Sequence, residues 1–152
     1  MIIVERAEPG DPATRALLQE WKPGKKASTT GRFLYLIARI GTEPAGVLEG
    51  HHDYGSWSDL KDYCHLGEND LGSYISSLYV RPAHRRQGVA DALLDWFIED
   101  ARQERSVAVV AHPDEEGRGR GARIALNQKH GLEFARPLEA WDEPWLMVLP
   151  LS

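Results

Sequence analysis

Between Leu78 and Ala90 the chain reads Leu-Tyr-Val-Arg-Pro-Ala-His-Arg-Arg-Gln-Gly-Val-Ala, placed where a strand meets a helix. A glycine at Gly88 lets the backbone turn its N–H groups toward a ligand. The small Ala90 lets that ligand approach the first helical turn closely. The helix dipole adds positive potential at the same place, and Arg85 and Arg86 can neutralise what remains of a diphosphate's charge. The plainer alternative is a tight strand-to-helix turn with solvated arginines, because short glycine patterns are common.

The stretch from Arg85 to Ala90 resembles the GNAT acetyltransferase superfamily, whose pattern is glutamine or arginine, two residues, glycine, one residue, then glycine or alanine. The resemblance includes the preceding Leu-Tyr-Val-Arg-Pro segment, the amphipathic helix that follows, and the order of elements from Ile2 to Leu149. It implies that the backbone N–H groups of Gln87, Gly88, Val89, Ala90 and Asp91 hold the pyrophosphate of coenzyme A. It also implies that Leu78, Tyr79 and Val80 pair with the pantetheine arm and point an N–H at the thioester oxygen. A preorganised donor there stabilises the oxyanion that develops when an amine attacks. The implied activity is direct transfer of the acetyl group of acetyl-CoA to a primary amine of a small molecule or peptide.

The family's second signature is matched in part. Leu126-Asn127-Gln128-Lys129-His130-Gly131-Leu132 keeps Leu126 and Gly131, but Asn127 stands where a tyrosine usually protonates the departing thiolate. An amide can hydrogen-bond coenzyme A, yet it gives up no proton near neutral pH. Tyr79 and His130 are the substitutes to test, although a histidine in the last helical turn also serves to complement the dipole.

A protonated amine has no lone pair, so the site needs a base, or a water chain to one, near the thioester. Glu49, His51 and Asp53 are the candidates, since residues two apart on a strand share a face. The family often places a glutamate on the strand before the glycine loop, where this chain has Tyr74. Against this stands the simpler reading of Glu49 and the histidines as a solvated strand end.

From Asp53 to Asp70 five acids (Asp53, Asp59, Asp62, Glu68, Asp70) face Lys61 alone, interleaved with Tyr54, Trp57 and Tyr63. Such a segment can hold an amine by charge and cation-π contact, or be an acidic surface loop with its aromatics folded inward. His51-His52-Asp53 falls short of the well-spaced ligands of a catalytic zinc, so no metal is expected. Cys64 beside His65 carries no nucleophile motif, so direct transfer is preferred. Gly117-Arg118-Gly119-Arg120-Gly121 lacks the spacing of a dinucleotide loop and reads as a flexible basic connector.

The elements that must position these groups follow from pattern. A strand over Ile2–Arg6 leads to a helix capped by Asp11, with Pro12 in its first turn, running to about Trp21. Arg32–Ile40 and Ala45–Glu49, or somewhat beyond, read as a hairpin, and the rest of Gly50–Gly72 has no assignable structure. Tyr74–Val80, a helix over Gly88–Gln103 and the apolar run Val107–Ala111 form one βαβ unit. Ala90, Leu93, Leu94, Phe97 and Ala101 give that helix its apolar stripe. A charged connection over Asp114–Gly121, a short helix over Ala122–His130 ending at Gly131, and a strand over Trp145–Leu149 complete the chain. The expected fold is α/β: a mixed, splayed, mostly antiparallel sheet with one central βαβ unit and flanking helices, in a single domain over residues 1–152. Acetyl-CoA is expected between the strands that end at Val80 and begin at Val107.

The 152 residues are 42% hydrophobic and 27% charged, with five tryptophans, as in globular proteins. A net charge of -5 argues against a nucleic-acid partner. The single Cys64, the lack of a long apolar run and the absence of a signal pattern after Met1 suit a cytoplasmic protein without a membrane partner. A homodimer is left open. The rival reading is a domain of the same fold that binds acetyl-CoA as a sensor or assembly subunit. A second rival changes the acyl chain or takes a protein N-terminus as acceptor.

Overall fold

A computed structural model describes residues 1–28, 31–54, 70–113, 118–134 and 146–151. The strands are β1 (Ile2–Ala7), β2 (Leu34–Ile40), β3 (Glu43–Tyr54), β4 (Gly72–Val80), β5 (Ala108–Ala111), β6 (Glu133–Phe134) and β7 (Met147–Pro150). The helices are α1 (Pro12–Trp21), α2 (Val89–Gln103) and α3 (Arg118–Lys129), with a 3-10 turn at Pro82–His84. Strand order is β1-β2-β3-β4-β5-β7-β6. The pairs β1/β2, β2/β3, β5/β7 and β6/β7 are antiparallel and β4/β5 is parallel, giving the expected mixed, mostly antiparallel sheet. Pairing between β4 and β5 covers only Ser73–Ile75 against Val109–Ala111, while β4 itself runs on to Val80.

Contacts group the chain into two units, Met1–His51 with Ser76–Phe97, and His52–Ile75 with Ile98–Ser152. In the first, α1 buries Thr14, Leu17 and Leu18. Its two leucines join Tyr35, Ile37 and Val47 in one cluster, with Tyr79 packed at its margin. Pro12 opens α1 as expected and Asp11 has the extended backbone of an N-cap. The Asp11 carboxylate does not cap a backbone amide; it accepts from the Thr14 hydroxyl at 3.4 Å. Along α2 the buried positions Val89, Leu93, Leu94, Phe97, Ile98 and Ala101 keep helical spacing, which holds the helix by packing rather than propensity.

The hairpin register contains one irregularity. Ala38 pairs Gly46 and Arg39 pairs Pro44, so Ala45 is an extra residue on β3, a β-bulge. Its carbonyl accepts from Arg81 N–H at 2.9 Å, tying the exit of β4 to the bulge.

The second unit has its own cluster of Tyr54, Ala108, Val110, Leu146 and Val148, with Tyr74 and Val107 against it. Asp100 accepts from His52 Nε2 at 2.7 Å, and His52 Nδ1 meets Ser73 Oγ at 2.5 Å. Ser73 Oγ in turn lies 2.6 Å from Ser106 Oγ. A carboxylate only accepts, so Nε2 carries a proton; in the neutral imidazole Nδ1 then accepts from the Ser73 hydroxyl.

Three boundaries differ from the sequence reading. β3 continues to Tyr54, so Gly50–Tyr54 are strand rather than irregular. The short strand β6 was not foreseen. Helix α3 starts at Arg118, so residues 118–121 form its first turn instead of a flexible connector. Two helical glycines cost about 1 kcal/mol each, and the helix end offsets part of that. Gly131 has φ +94, its N–H donates to Gln128 O, and the buried Leu132 donates to Asn127 O, a Schellman closure.

Candidate active site

The glycine loop is anchored at its entry by Arg81. That guanidinium donates to Glu20 Oε2 through Nε at 2.8 Å and Nη2 at 2.6 Å, and to Pro44 O through Nη1 at 2.9 Å. The Arg85 Nε donates to Val80 O at 3.2 Å, so this arginine holds the end of β4 while its side chain stays exposed. Two residues of the loop have left-handed backbone, Arg86 with φ 63 and Gly88 with φ 85. For a side-chain-bearing residue that conformation costs about 1–2 kcal/mol, and such strain clusters at ligand clamps. The first intrahelical bond of α2 runs from Ala92 N–H to Gly88 O. Gly88 is therefore the N-cap, and the amides of Val89 and Ala90 have no acceptor within the helix. Val89 is buried, which fixes this turn to the core, while Arg85, Arg86, Gln87 and Gly88 are exposed. Strain, open amides and two exposed arginines are the features a backbone cradle for an anion would need.

What brings α2 so close to the sheet is Gly46 on β3. A Cβ there would stand 2.8 Å from Tyr79 O and 2.9 Å from Val89 Cγ1. The pattern reading missed this residue, although a glycine inside a strand signals close approach.

Glu49 gathers donors from several elements and is only 2% exposed. It lies opposite Tyr35 in the β2/β3 register, and the phenol donates to its Oε2 at 2.7 Å. Its Oε1 accepts from Lys25 Nζ at 3.1 Å and Ser76 Oγ at 2.9 Å; Ser77 Oγ, at 3.5 Å, is at the limit of bonding. Burying a carboxylate is costly unless it is paired, and these donors meet that need. Burial, then the bond to Glu49, pushes the Tyr35 phenol well above its usual range, so it remains a donor at neutral pH. Tyr35 Oη also accepts from Ser28 N–H at 2.7 Å, which locks the segment after α1 onto the strand. Lys25, Tyr35, Ser76 and Ser77 escaped the sequence reading because they converge on Glu49 from three separate stretches.

Glu49 is thus an enclosed carboxylate holding a primary ammonium, not a solvated strand end. His51, two residues on, is buried and sets its ring edge-on to Phe33 at 5.2 Å. Asp53 is exposed. Leu78 is buried, and Tyr79 and Val80 are partly so. In the second unit Asn127 is buried and its Nδ2 donates to Met147 Sδ at 3.5 Å. There Tyr74 Oη lies 3.3 Å from His112 Nδ1. Among the described residues no three or more His, Cys, Asp or Glu side chains converge as metal ligands. No described helix is long and apolar enough to cross a membrane. The acidic and aromatic residues 55–69, including Cys64, and residues 114–117 and 135–145 lie outside the described residues.

Residues 3–119 match the Acetyltransferase (GNAT) family. Over 125 residues the chain is 33% identical to the mycothiol acetyltransferase of Amycolatopsis mediterranei (strain U-32), covering 71% of this chain but 39% of that protein. The fold is similar to Arabidopsis thaliana NAA60 in complex with acetyl-CoA, with TM-score 0.74, 17% identity and 99% coverage of both chains. It is similar also to the ribosomal-protein-S18-alanine N-acetyltransferase of Escherichia coli, with TM-score 0.67, 18% identity, and coverage of 100% of this chain and 95% of that one.

Proposed function

Because the chain belongs to the GNAT acetyltransferase family, we propose that it is an enzyme moving the acetyl group of acetyl-CoA directly to a primary amine of a small molecule or peptide. The observation that carries this is the glycine loop: left-handed Arg86 and Gly88 feed straight into the open amides of α2. Amides from Gln87 to Asp91 would hold the pyrophosphate, with Arg85 and Arg86 beside it, and Leu78–Val80 would pair with the pantetheine arm. Acetyl-CoA supplies the acetyl group as a thioester. That Glu49 is bonded to Ser76, two residues before Leu78 on the same strand, supports this carboxylate as the base.

In this proposal Glu49 takes the proton of the acceptor ammonium, directly or through water, with His51 as the second candidate base. The freed nitrogen bonds the acetyl carbon, the carbon–sulfur bond breaks, the Tyr79 hydroxyl gives the leaving thiolate its proton, and the second proton shed by the nitrogen returns to the Tyr79 phenolate. The Lys25 ammonium marks where a primary amine can rest on Glu49. Asn127 has no proton to supply, and its amide is engaged with Met147. A cytoplasmic setting belongs to the same proposal, since one cysteine needs no oxidising compartment.

Calorimetry with coenzyme A on wild type and Gly88→Glu tests the loop. Gly88 is left-handed, so any side chain is strained there, and a carboxylate adds repulsion to the phosphates. Binding should be abolished; unchanged affinity would reject the assignment. Thiol release from acetyl-CoA with a panel of amines then separates enzyme from sensor, because tight coenzyme binding with no amine-dependent thiol would favour the sensor.

A further inference from the structure

The first unit carries a groove of about 690 Å³ between the start of α1 and the segment Lys25–Ala27. Its charged lining is Arg15, Lys25 and Lys26, and none of the described residues lining it is a carboxylate. That is unexpected on a chain of net charge -5. Lys25 reaches through to Glu49. The side chains of Arg15 and Lys26, by contrast, make no ion pair among the described residues. Two cations sharing a concave wall with no carboxylate among its described lining residues focus a positive potential that favours an anion.

The groove wall is built rather than loose. Gln19 Nε2 donates to Lys25 O, and Gln19 Oε1 accepts from Gly24 N–H at 3.0 Å. Lys25 N–H donates to Lys22 O at 2.9 Å, and Ser28 N–H is fixed to Tyr35 Oη at 2.7 Å. A pocket held by its own hydrogen bonds, with a few placed charges, has the character of a specificity site. Of its three cations, Arg15 and Lys26 make no ion pair among the described residues, and Lys25 is bound to the Glu49 carboxylate.

We propose that Arg15 and Lys26 select acceptors bearing an anionic group, a carboxylate or a phosphate, whose amine is directed toward Glu49. This rests on the acetyltransferase reading above. An acceptor of opposite charge at its two ends meets opposite charge at both. Lys25 yields its place on Glu49 as the acceptor ammonium arrives.

Matched acceptors test it by thiol release: alanine against alaninamide for the carboxylate, phosphoethanolamine against ethanolamine for the phosphate. Wild type should favour the anionic member by about tenfold or more in kcat/KM, a difference that falls with added salt. Which pair shows the larger ratio identifies the anion. Arg15→Glu/Lys26→Glu should reverse the preference, a result that misfolding cannot produce. The milder Arg15→Gln/Lys26→Gln should bring the ratio toward one. Equal rates for both members in wild type, or a preference that survives the charge reversal, would overturn the proposal. If no amine is turned over, the acetyltransferase reading fails by itself and the groove is judged by binding. Trp21 lies 5.8 Å from Lys25 Nζ, so its fluorescence, taken against Trp21→Phe, follows titration with inorganic phosphate and with a glycyl-alanine dipeptide. Saturable binding lost in the double glutamate variant supports the anion site, and no saturable binding in wild type refutes it.

Discussion

Tyr35 and Glu49 stand opposite each other across β2 and β3, joined by a 2.7 Å bond from phenol to carboxylate. The pair makes the candidate base part of the fold. Tyr35 donates to Glu49 and accepts from Ser28, so one hydroxyl couples the carboxylate to the wall of the basic groove.

Tyr35→Phe removes that hydroxyl and leaves a buried carboxylate one donor short. A loss of about 1–3 kcal/mol in urea unfolding at neutral pH is expected. The alkaline limb separates this effect from a packing fault. The folded phenol titrates above its unfolded value, so its contribution is complete below about pH 10 and is lost as pH rises beyond that. Wild type should therefore lose up to about 1.4 kcal/mol per pH unit more than Tyr35→Phe in that range. Parallel pH dependences would mean that the phenol is not held protonated by the fold.

Glu49→Gln keeps the shape and removes the base. Turnover should fall by about 10²–10⁴ while coenzyme affinity, measured by calorimetry, stays within twofold. A near-normal rate would move the role of base to His51 or to water.

The apolar periodicity of α2, the buried run of β5 and the glycine loop were legible because each is local: period 3.6, a continuous apolar run, and a glycine before a helix. The cluster around Glu49 was not, because its register depends on the Ala45 bulge, which a one-residue count along the strand does not reveal. Lys25 reaches Glu49 from 24 residues away, out of a segment that reads only as polar loop. The start of α3 was hidden by Gly119 and Gly121, whose low helix propensity is overridden by the Schellman closure at Gly131 and the burial of Leu132. Gly46 was findable: a glycine within an apolar strand asks what comes near it.

Gly46→Ala places a methyl 2.8 Å from Tyr79 O and 2.9 Å from Val89 Cγ1, against backbone on one side and a buried side chain on the other. Overpacking of this kind costs about 1–3 kcal/mol. Because Val89 leads α2, the shift should also weaken coenzyme binding. Stability lost without any change in affinity would show that the helix start adjusts independently of the sheet.

In the second unit His52 joins Asp100 to Ser73 and Ser106. His52→Leu removes both ring nitrogens, leaving Asp100 and the buried Ser73 to find other partners. Destabilisation of about 2–4 kcal/mol is expected by urea unfolding. Double-mutant cycles with Asp100→Asn should show coupling above about 0.5 kcal/mol. Additive losses would mean that the contact contributes no more than its separate halves.

Arg86 offers the sharpest separation of binding from stability. Its backbone has φ 63 and its side chain is exposed, so the residue carries strain without a packing reason. Arg86→Gly relieves that strain and should raise unfolding free energy by about 0.5–1 kcal/mol, reduced by the extra freedom of glycine in the unfolded chain. If the arginine is there to meet a phosphate, the same change removes a charge-assisted contact and should weaken coenzyme A several-fold, most at low salt. Stability and affinity would then move in opposite directions in one variant, the signature of strain retained for a ligand. A variant that gains stability and keeps full affinity would leave the cradle to the backbone amides alone, with Arg86 contributing nothing to the diphosphate.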